Sequence, residues 1–314
     1  MTTKTLLSVG ECMAELQLAK DGLYSLAFGG DTLNTAWYVR ALTHPCDVAV
    51  EYYTAVGGDP LSKQMMTFLR DHNVGTQFVR EIAERNVGLY LISLNGAERS
   101  FTYWRSSSAA RLLAEDGKKL AAALSKADVI YFSGITLAIL EPEHRQVFLK
   151  VLQDMKAGGA TVTFDSNLRR RLWPSDQAMK EATLAGYGVA TLALPTFDDE
   201  QALFGDESPA KCAERIAGYG VAEVIVKDGG KPTHLFVDGK LSKVTPEQVV
   251  GILDTTGAGD SFNAGYLAAR MANVNSVDAV KLAHKVAGRV IRSRGALLDM
   301  EWFTDLCVTW PEVT

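Results

Sequence analysis

The sequence predicts an α/β protein: a three-layer α/β/α core around a mostly parallel sheet, with a small β lid beside it. Three observations carry this. Short apolar strands alternate with helix-periodic segments from one end of the chain to the other, the pattern of βα units with helices on both sheet faces. Glycine-rich or polar clusters follow several strands directly, where such sheets carry their ligands. One stretch, 86–104, breaks the rhythm with strict alternation around Asn95-Gly96, a hairpin signal.

In chain order, 6–10 reads as the first strand and 31–43 as a helix, with Leu33, Ala36, Trp37 and Ala41 at helical spacing. Strand 48–55 and helix 61–73 follow, then the hairpin. Next come helix 116–126, strand 129–133, helix 143–157, strand 161–165, helix 175–187 and strand 190–194. A helix pair precedes strands 223–227, 234–237 and 240–244, and helices 260–272 and 276–293 end the chain. Residues 11–18 alternate in part. Together with the hairpin they predict a small sheet outside the core, the alternative being an antiparallel extension of the main sheet. The chain is read as one domain, 1–314, with the lid formed by about 11–29 and 86–105.

Composition narrows the function. The 314 residues are 47% hydrophobic and 22% charged, values of a globular chain with ample core. Thirty-two basic against 37 acidic residues give a net charge of −5, which argues against nucleic acid or an anionic membrane as partner. Four scattered cysteines and five histidines without ligand spacing argue against zinc and disulfides. The N-terminus lacks a signal-peptide pattern and no run approaches a membrane span, so a cytoplasmic location is expected.

The sharpest motif is Asp254-Thr-Thr-Gly257-Ala258-Gly259-Asp260. Two glycines allow a tight turn, and the following helix presents unsatisfied amides and the positive end of its dipole, an anion hole. A carboxylate there is expected to be favoured as the anion, and Asp260 could accept a proton from an attacking hydroxyl. The competing reading is a simple helix cap. A dinucleotide fingerprint fails because the third glycine is missing, and no Walker A loop occurs. A second motif, Gly29-Gly30-Asp31-Thr-Leu-Asn34, puts an acid and an amide on one helical turn, suited to sugar hydroxyls. Asp165-Ser-Asn167-Leu-Arg169 and Lys227-Asp-Gly229-Gly230 each lie at the carboxyl end of a strand.

Taken together, Gly29-Gly30-x-x-x-Asn34, Val56-Gly57-Gly58-Asp59 and the Asp254–Asp260 motif resemble, in order and over nearly the whole chain, the ribokinase-like (PfkB) carbohydrate kinases. The resemblance implies ATP, Mg²⁺ and in-line transfer of the γ-phosphoryl to a primary sugar hydroxyl. A monovalent cation is an admissible further ligand. Asp260 is then the base, with Gly257, Ala258 and Gly259 as the anion hole. Asn167, Arg169, Lys227, Gly229, Gly230 and Gly257–Asp260 would line the nucleotide. Asp199 would organise Mg²⁺-bound water, although Thr196-x-x-Asp199 stands where many members have Asn-x-x-Glu. Pro232 replaces a usual glycine and removes one amide donor.

For the acceptor, Tyr90, Tyr103, Arg105 and Arg169 stand out. Guanidinium forks suit carboxylates, so a sugar acid is expected. The arrangement resembles the branch of the family that acts on the terminal hydroxyl of 2-keto-3-deoxygluconate. By that resemblance Gly30, Asp31, Asn34, Tyr90, Tyr103, Arg105, Arg169 and Asp260 contact the sugar acid. Asp31 must then face hydroxyls, since two like charges would repel. The alternatives are a neutral-sugar kinase, such as a fructokinase or ribokinase, and a sugar-acid sensor without turnover. Lids of this kind often pair, so a homodimer through the lid is expected.

Overall fold

Leu6, Leu7 and Val9 are all buried, yet Leu6 belongs to one apolar cluster and Leu7 and Val9 to another. The same split separates Val129 and Tyr131 from Ile130 and Phe132. Side chains of a strand alternate faces, so the sheet is buried on both sides, and three layers follow. The structure is a computed structural model describing residues 3–18, 22–95 and 98–310.

The strands are β1 (Lys4–Val9), β2 (Met13–Leu18), β3 (Tyr24–Gly29), β4 (Val48–Tyr53), β5 (Ala55–Val56), β6 (Arg80–Glu81), β7 (Gly88–Asn95) and β8 (Glu98–Trp104). They continue with β9 (Val129–Ser133), β10 (Thr161–Asp165), β11 (Leu192–Ala193), β12 (Glu223–Val226), β13 (Thr233–Val237) and β14 (Lys240–Val244). An eight-stranded sheet runs β14-β13-β12-β11-β10-β9-β1-β4. It is parallel from β4 to β12 and antiparallel through β13 and β14.

One layer contains α1 (Asp31–Leu42), α2 (Pro60–Asp71), α9 (Ala258–Met271) and α10 (Ser276–Val290). The other holds α3 (Gly117–Leu124), α4 (Gly134–Ile139), α5 (Pro142–Ala157), α6 (Asp176–Val189) and α8 (Pro209–Ala217), with α7 (Phe197–Phe204) leading into α8. Helix α1 is buried at every position after Asp31, because it lies between the sheet and α9. Helix α4 is not among the helices expected from sequence: it follows β9 directly, and its six residues carry too little periodicity to declare themselves.

A separate four-stranded sheet, β3-β2-β7-β8, forms the lid. The alternative of an extension of the main sheet does not hold. Strand β3 lies within the expected lid stretch 11–29, where the sequence predicts no separate strand. The hairpin's closing pair is Asn95↔Glu98; Gly96, half of the expected turn, lies outside the described residues. Register sets the lid's two faces. Glu15 pairs with Tyr90 and Tyr90 with Tyr103, so these three share one face, while Leu16, Leu26 and Leu91 share the other. No helix of the described residues is long and apolar enough to cross a membrane.

Candidate active site

The carboxyl ends of β1, β9, β10 and β12 converge with the starts of α1 and α9. Gly30 is the residue before α1. A Cβ there would stand 2.2 Å from the Glu11 carbonyl oxygen, so only glycine lets the helix start this close to the end of β1. Asp31 is the first helical residue, one position past the N-cap. Its Oδ2 accepts a 2.7 Å bond from Asn167 Nδ2, across the site. Asn167 itself holds φ +31°, a conformation L-residues rarely adopt and one typical of functional turns. Its N–H donates to Asp165 Oδ1 at 3.2 Å.

Helix α9 begins at Ala258, preceded by Gly257 at φ +75° with no side-chain cap. The simple-cap reading of Asp260 therefore fails: it sits inside the first turn, not before it. Among the first amides, that of Ala258 turns back to Thr255 O at 3.2 Å, which weakens its claim on the anion hole. The next first-turn amides have no acceptor within the helix. Asp254 braces the loop from behind, accepting from Thr256 N at 3.1 Å and Gly295 N at 2.9 Å.

Asp260 Oδ2 accepts a 2.7 Å bond from Asn34 Nδ2, which explains an asparagine inside α1. The expectation that the helix end holds Asp260 anionic needs correction. Its pKa is pushed up to about 7, first by burial, then by the charges of Asp31 and Asp165, against the opposing Asn34 bond and Lys227. Burial likewise raises Asp31, with bonds from Ser133 and Asn167 pulling the other way. A group poised near neutrality is what general-base work at pH 7 needs.

Lys227, just past β12, is buried and donates to Asp165 Oδ2 at 3.1 Å. Gly229 and Gly230 follow in an open, exposed turn, Gly229 at φ +55°. Asp199 lies in the first turn of α7; burial raises its carboxyl, and the Arg169 charge opposes this. Arg169 is exposed and donates to Leu168 O at 2.8 Å.

On the lid, Tyr90 and Tyr103 stack with ring centroids 5.7 Å apart, and Tyr90 donates to the Glu15 carboxylate. Arg105 lies one residue beyond β8 and pairs with the buried Glu11 at the base of the lid. Its Nε has no partner. Two arginines had escaped the sequence reading. Arg171 stands 4.2 Å over the Tyr103 ring and donates to Tyr103 Oη at 2.6 Å, joining core to lid. Arg294 lines a cleft of about 80 Å³ with Glu15, Tyr90, Phe101 and Thr256. Arg171 stands in the run Arg169-Arg170-Arg171, but spacing alone does not say which guanidinium reaches the lid; nothing marked the second. A cavity of about 770 Å³ at the opposite sheet edge, lined by Lys4, Asp128 and Glu223 among others, contains none of these residues.

Comparison with known proteins narrows the reading. The family model "pfkB family carbohydrate kinase" matches residues 3–302. The 2-dehydro-3-deoxygluconokinase of Haemophilus influenzae is 39% identical over 302 residues, 94% of this chain and 96% of that protein. A fructokinase with bound ATP from Xylella fastidiosa has a similar fold, with TM-score 0.81, 20% identity and 94% of each chain covered. So has a 2-dehydro-3-deoxygluconokinase from Thermotoga maritima, with TM-score 0.81, 19% identity and 97% and 98% covered. Two acceptor specificities thus share the fold equally, and backbone likeness does not choose between them. The family itself follows from the match along nearly the whole length: the chain belongs to the pfkB family of carbohydrate kinases.

Proposed function

We propose that the chain transfers the γ-phosphoryl of ATP to the terminal (6-) hydroxyl of 2-keto-3-deoxygluconate, giving 2-keto-3-deoxy-6-phosphogluconate. One observation carries the mechanism: a carboxylate poised near pH 7, Asp260, lies in the first turn of a helix with free amides and is aimed by Asn34. The hydroxyl oxygen attacks phosphorus as Asp260 takes its proton, and the bond to the leaving ADP oxygen breaks. The backbone amides of the turn into α9, that of Gly259 before that of Ala258, and Lys227 stabilise charge on the phosphoryl oxygens. The sugar acid is supported by 39% identity to a 2-dehydro-3-deoxygluconokinase, 2-dehydro and 2-keto naming the same carbonyl.

Asp31 and Asn34 suit the sugar hydroxyls, and Gly30 lets them approach. Tyr90, whose hydroxyl lies close to Gly29, and Tyr103 are the candidates for a wall over the sugar, and Arg105 and Arg169, with Arg171 held at Tyr103, are the candidates for the carboxylate. Asn167, Arg169, Lys227, Gly229 and Gly230 fit an anionic nucleotide, having free donors and an open glycine turn. The carboxyl of Asp199 suits Mg²⁺-bound water, and Mg²⁺ when bound supplies charge neutralisation between phosphates.

The test is kcat/KM across acids and neutral sugars. 2-Keto-3-deoxygluconate should lead, and a higher value for fructose or ribose would overturn the acceptor assignment. Arg105→Ala and Arg169→Ala should each raise KM for the acid about 10-fold and leave a neutral analogue's KM nearly unchanged; equal rises would move these arginines to a structural or nucleotide role.

The lid's outer face exposes Leu18, Tyr24, Leu26 and Trp104, at 43–57% of their surface. Such a patch suits a second copy of the chain. Light scattering should give a dimer that Leu26→Asp with Trp104→Glu converts to monomer; a monomeric wild type removes the proposal.

A further inference from the structure

Of the acids of this site, Asp165 is buried and bonded to the ammonium of Lys227, whose charge also acts on Asp260, and how that ammonium is held goes beyond the roles assigned above. Lys227 Nζ donates to Asp165 Oδ2 at 3.1 Å and to Asn263 Oδ1 at 2.9 Å. Asn263 is three residues beyond Asp260 on α9 and wholly buried. Its Nδ2 donates to Asp165 Oδ2 at 2.7 Å and to Tyr131 Oη at 3.0 Å. With both amide hydrogens engaged by acceptors, the carbonyl oxygen is the end left for Lys227. Lys227, Asp165, Asn263 and Tyr131 are exposed by 7%, 3%, 0% and 0%, so the set is fixed in place rather than solvated.

An ammonium has three donors, and two are committed. A Cβ built on Gly259 would stand 3.7 Å from Lys227 Nζ, which puts the ammonium beside the backbone of the anion hole. A free lysine side chain loses rotamer entropy when it is immobilised; one already clamped by neighbours does not lose it during the reaction, which is the advantage of preorganisation.

We infer that Asn263 is a positioning residue: backed by Asp165 and Tyr131, it holds the Lys227 ammonium at Gly259 so that the third N–H meets the phosphoryl group in transfer. The inference rests on the kinase reading. Asn263 touches no substrate; it acts through Lys227.

A double-mutant cycle tests this on the full chain with ATP, Mg²⁺ and 2-keto-3-deoxygluconate. Lys227→Met should lower kcat about 10²-fold and Asn263→Ala about 10-fold, each with the sugar-acid KM within about twofold. In the Lys227→Met background, Asn263→Ala should add nothing further. An unchanged kcat in Asn263→Ala, or a further 10-fold loss in the double variant, overturns the proposal, because a merely structural asparagine would act with or without the lysine. If Asn263→Ala loses its cooperative thermal transition, Tyr131→Phe takes its place in the cycle. It removes only the hydroxyl, with about a threefold loss expected in the wild type and none with Lys227→Met. A wild type that does not phosphorylate the sugar acid speaks against the kinase reading; a wild type that does, with additive variants, speaks against this inference alone.

Discussion

Asp260→Asn should lower kcat by about 10²–10⁴-fold while the sugar-acid KM changes little. The amide keeps the shape of the carboxylate and loses only the ability to take a proton. The same residue sets the pH dependence. Burial and the Asp31 and Asp165 charges raise its pKa to about 7, and a base works deprotonated. Wild-type kcat/KM should therefore fall as pH drops through about 7 and level off above it. A second consequence concerns stability, and its sign is opposite to that of an ordinary paired carboxylate. A group whose folded pKa lies above its unfolded one favours the fold at low pH, and that contribution is lost as pH rises through the folded value. Asp260→Asn should thus raise Tm relative to wild type at pH 8 and do so less at pH 5. An unchanged kcat in this variant removes Asp260 from the mechanism.

The second large effect is at Gly257. Its φ of +75° lies where L-residues are strained, and a Cβ would meet the Ala296 carbonyl oxygen at 2.9 Å. Alanine would add about 1–2 kcal/mol of backbone strain and push the loop away from the segment that Asp254 binds through Gly295. The first-turn amides of α9 would shift with it. Because sub-ångström aim matters to charge stabilisation, kcat should fall about 10²-fold, with a lower Tm. Steady-state kinetics and a thermal melt on Gly257→Ala check both; normal kcat with a reduced Tm would detach the turn from catalysis.

Much of the fold was legible because βα alternation is a local signal. The lid strands 13–18, 88–95 and 98–104 announced themselves through their period of two, and their register then placed Glu15, Tyr90 and Tyr103 on one face. Strand β3 fell inside the expected lid stretch but was not legible as a strand: Tyr24-Ser-Leu-Ala-Phe-Gly29 has no clear polar alternation, because its outer side is an apolar surface.

The site divides similarly. Asp260, Asn34 and Asp31 could be singled out because each lies in a glycine-opened turn at a helix start. Their pairings could not. Asn167 reaches Asp31 across 136 positions, and Asn263 reaches Asp165 across 98, distances at which no spacing rule operates. The raised pKa of Asp260 was also hidden, since it arises from two acids that only the folded chain brings near. Net charge misled in the same way: an acidic chain suggests little affinity for anions, but the relevant charges are Lys227, the candidate arginines Arg105, Arg169 and Arg171 and one helix end.

The central claim is that phosphoryl transfer goes to the terminal hydroxyl of a sugar acid at Asp260. Its most direct test is to incubate the protein with ATP, Mg²⁺ and 2-keto-3-deoxygluconate and locate the new ester by phosphorus and carbon NMR. The account predicts one equivalent of ADP and a phosphate coupled to the terminal carbon, with neither formed by Asp260→Asn on the same timescale. An ester at any other position, or the same product formed at wild-type rate by Asp260→Asn, would contradict it.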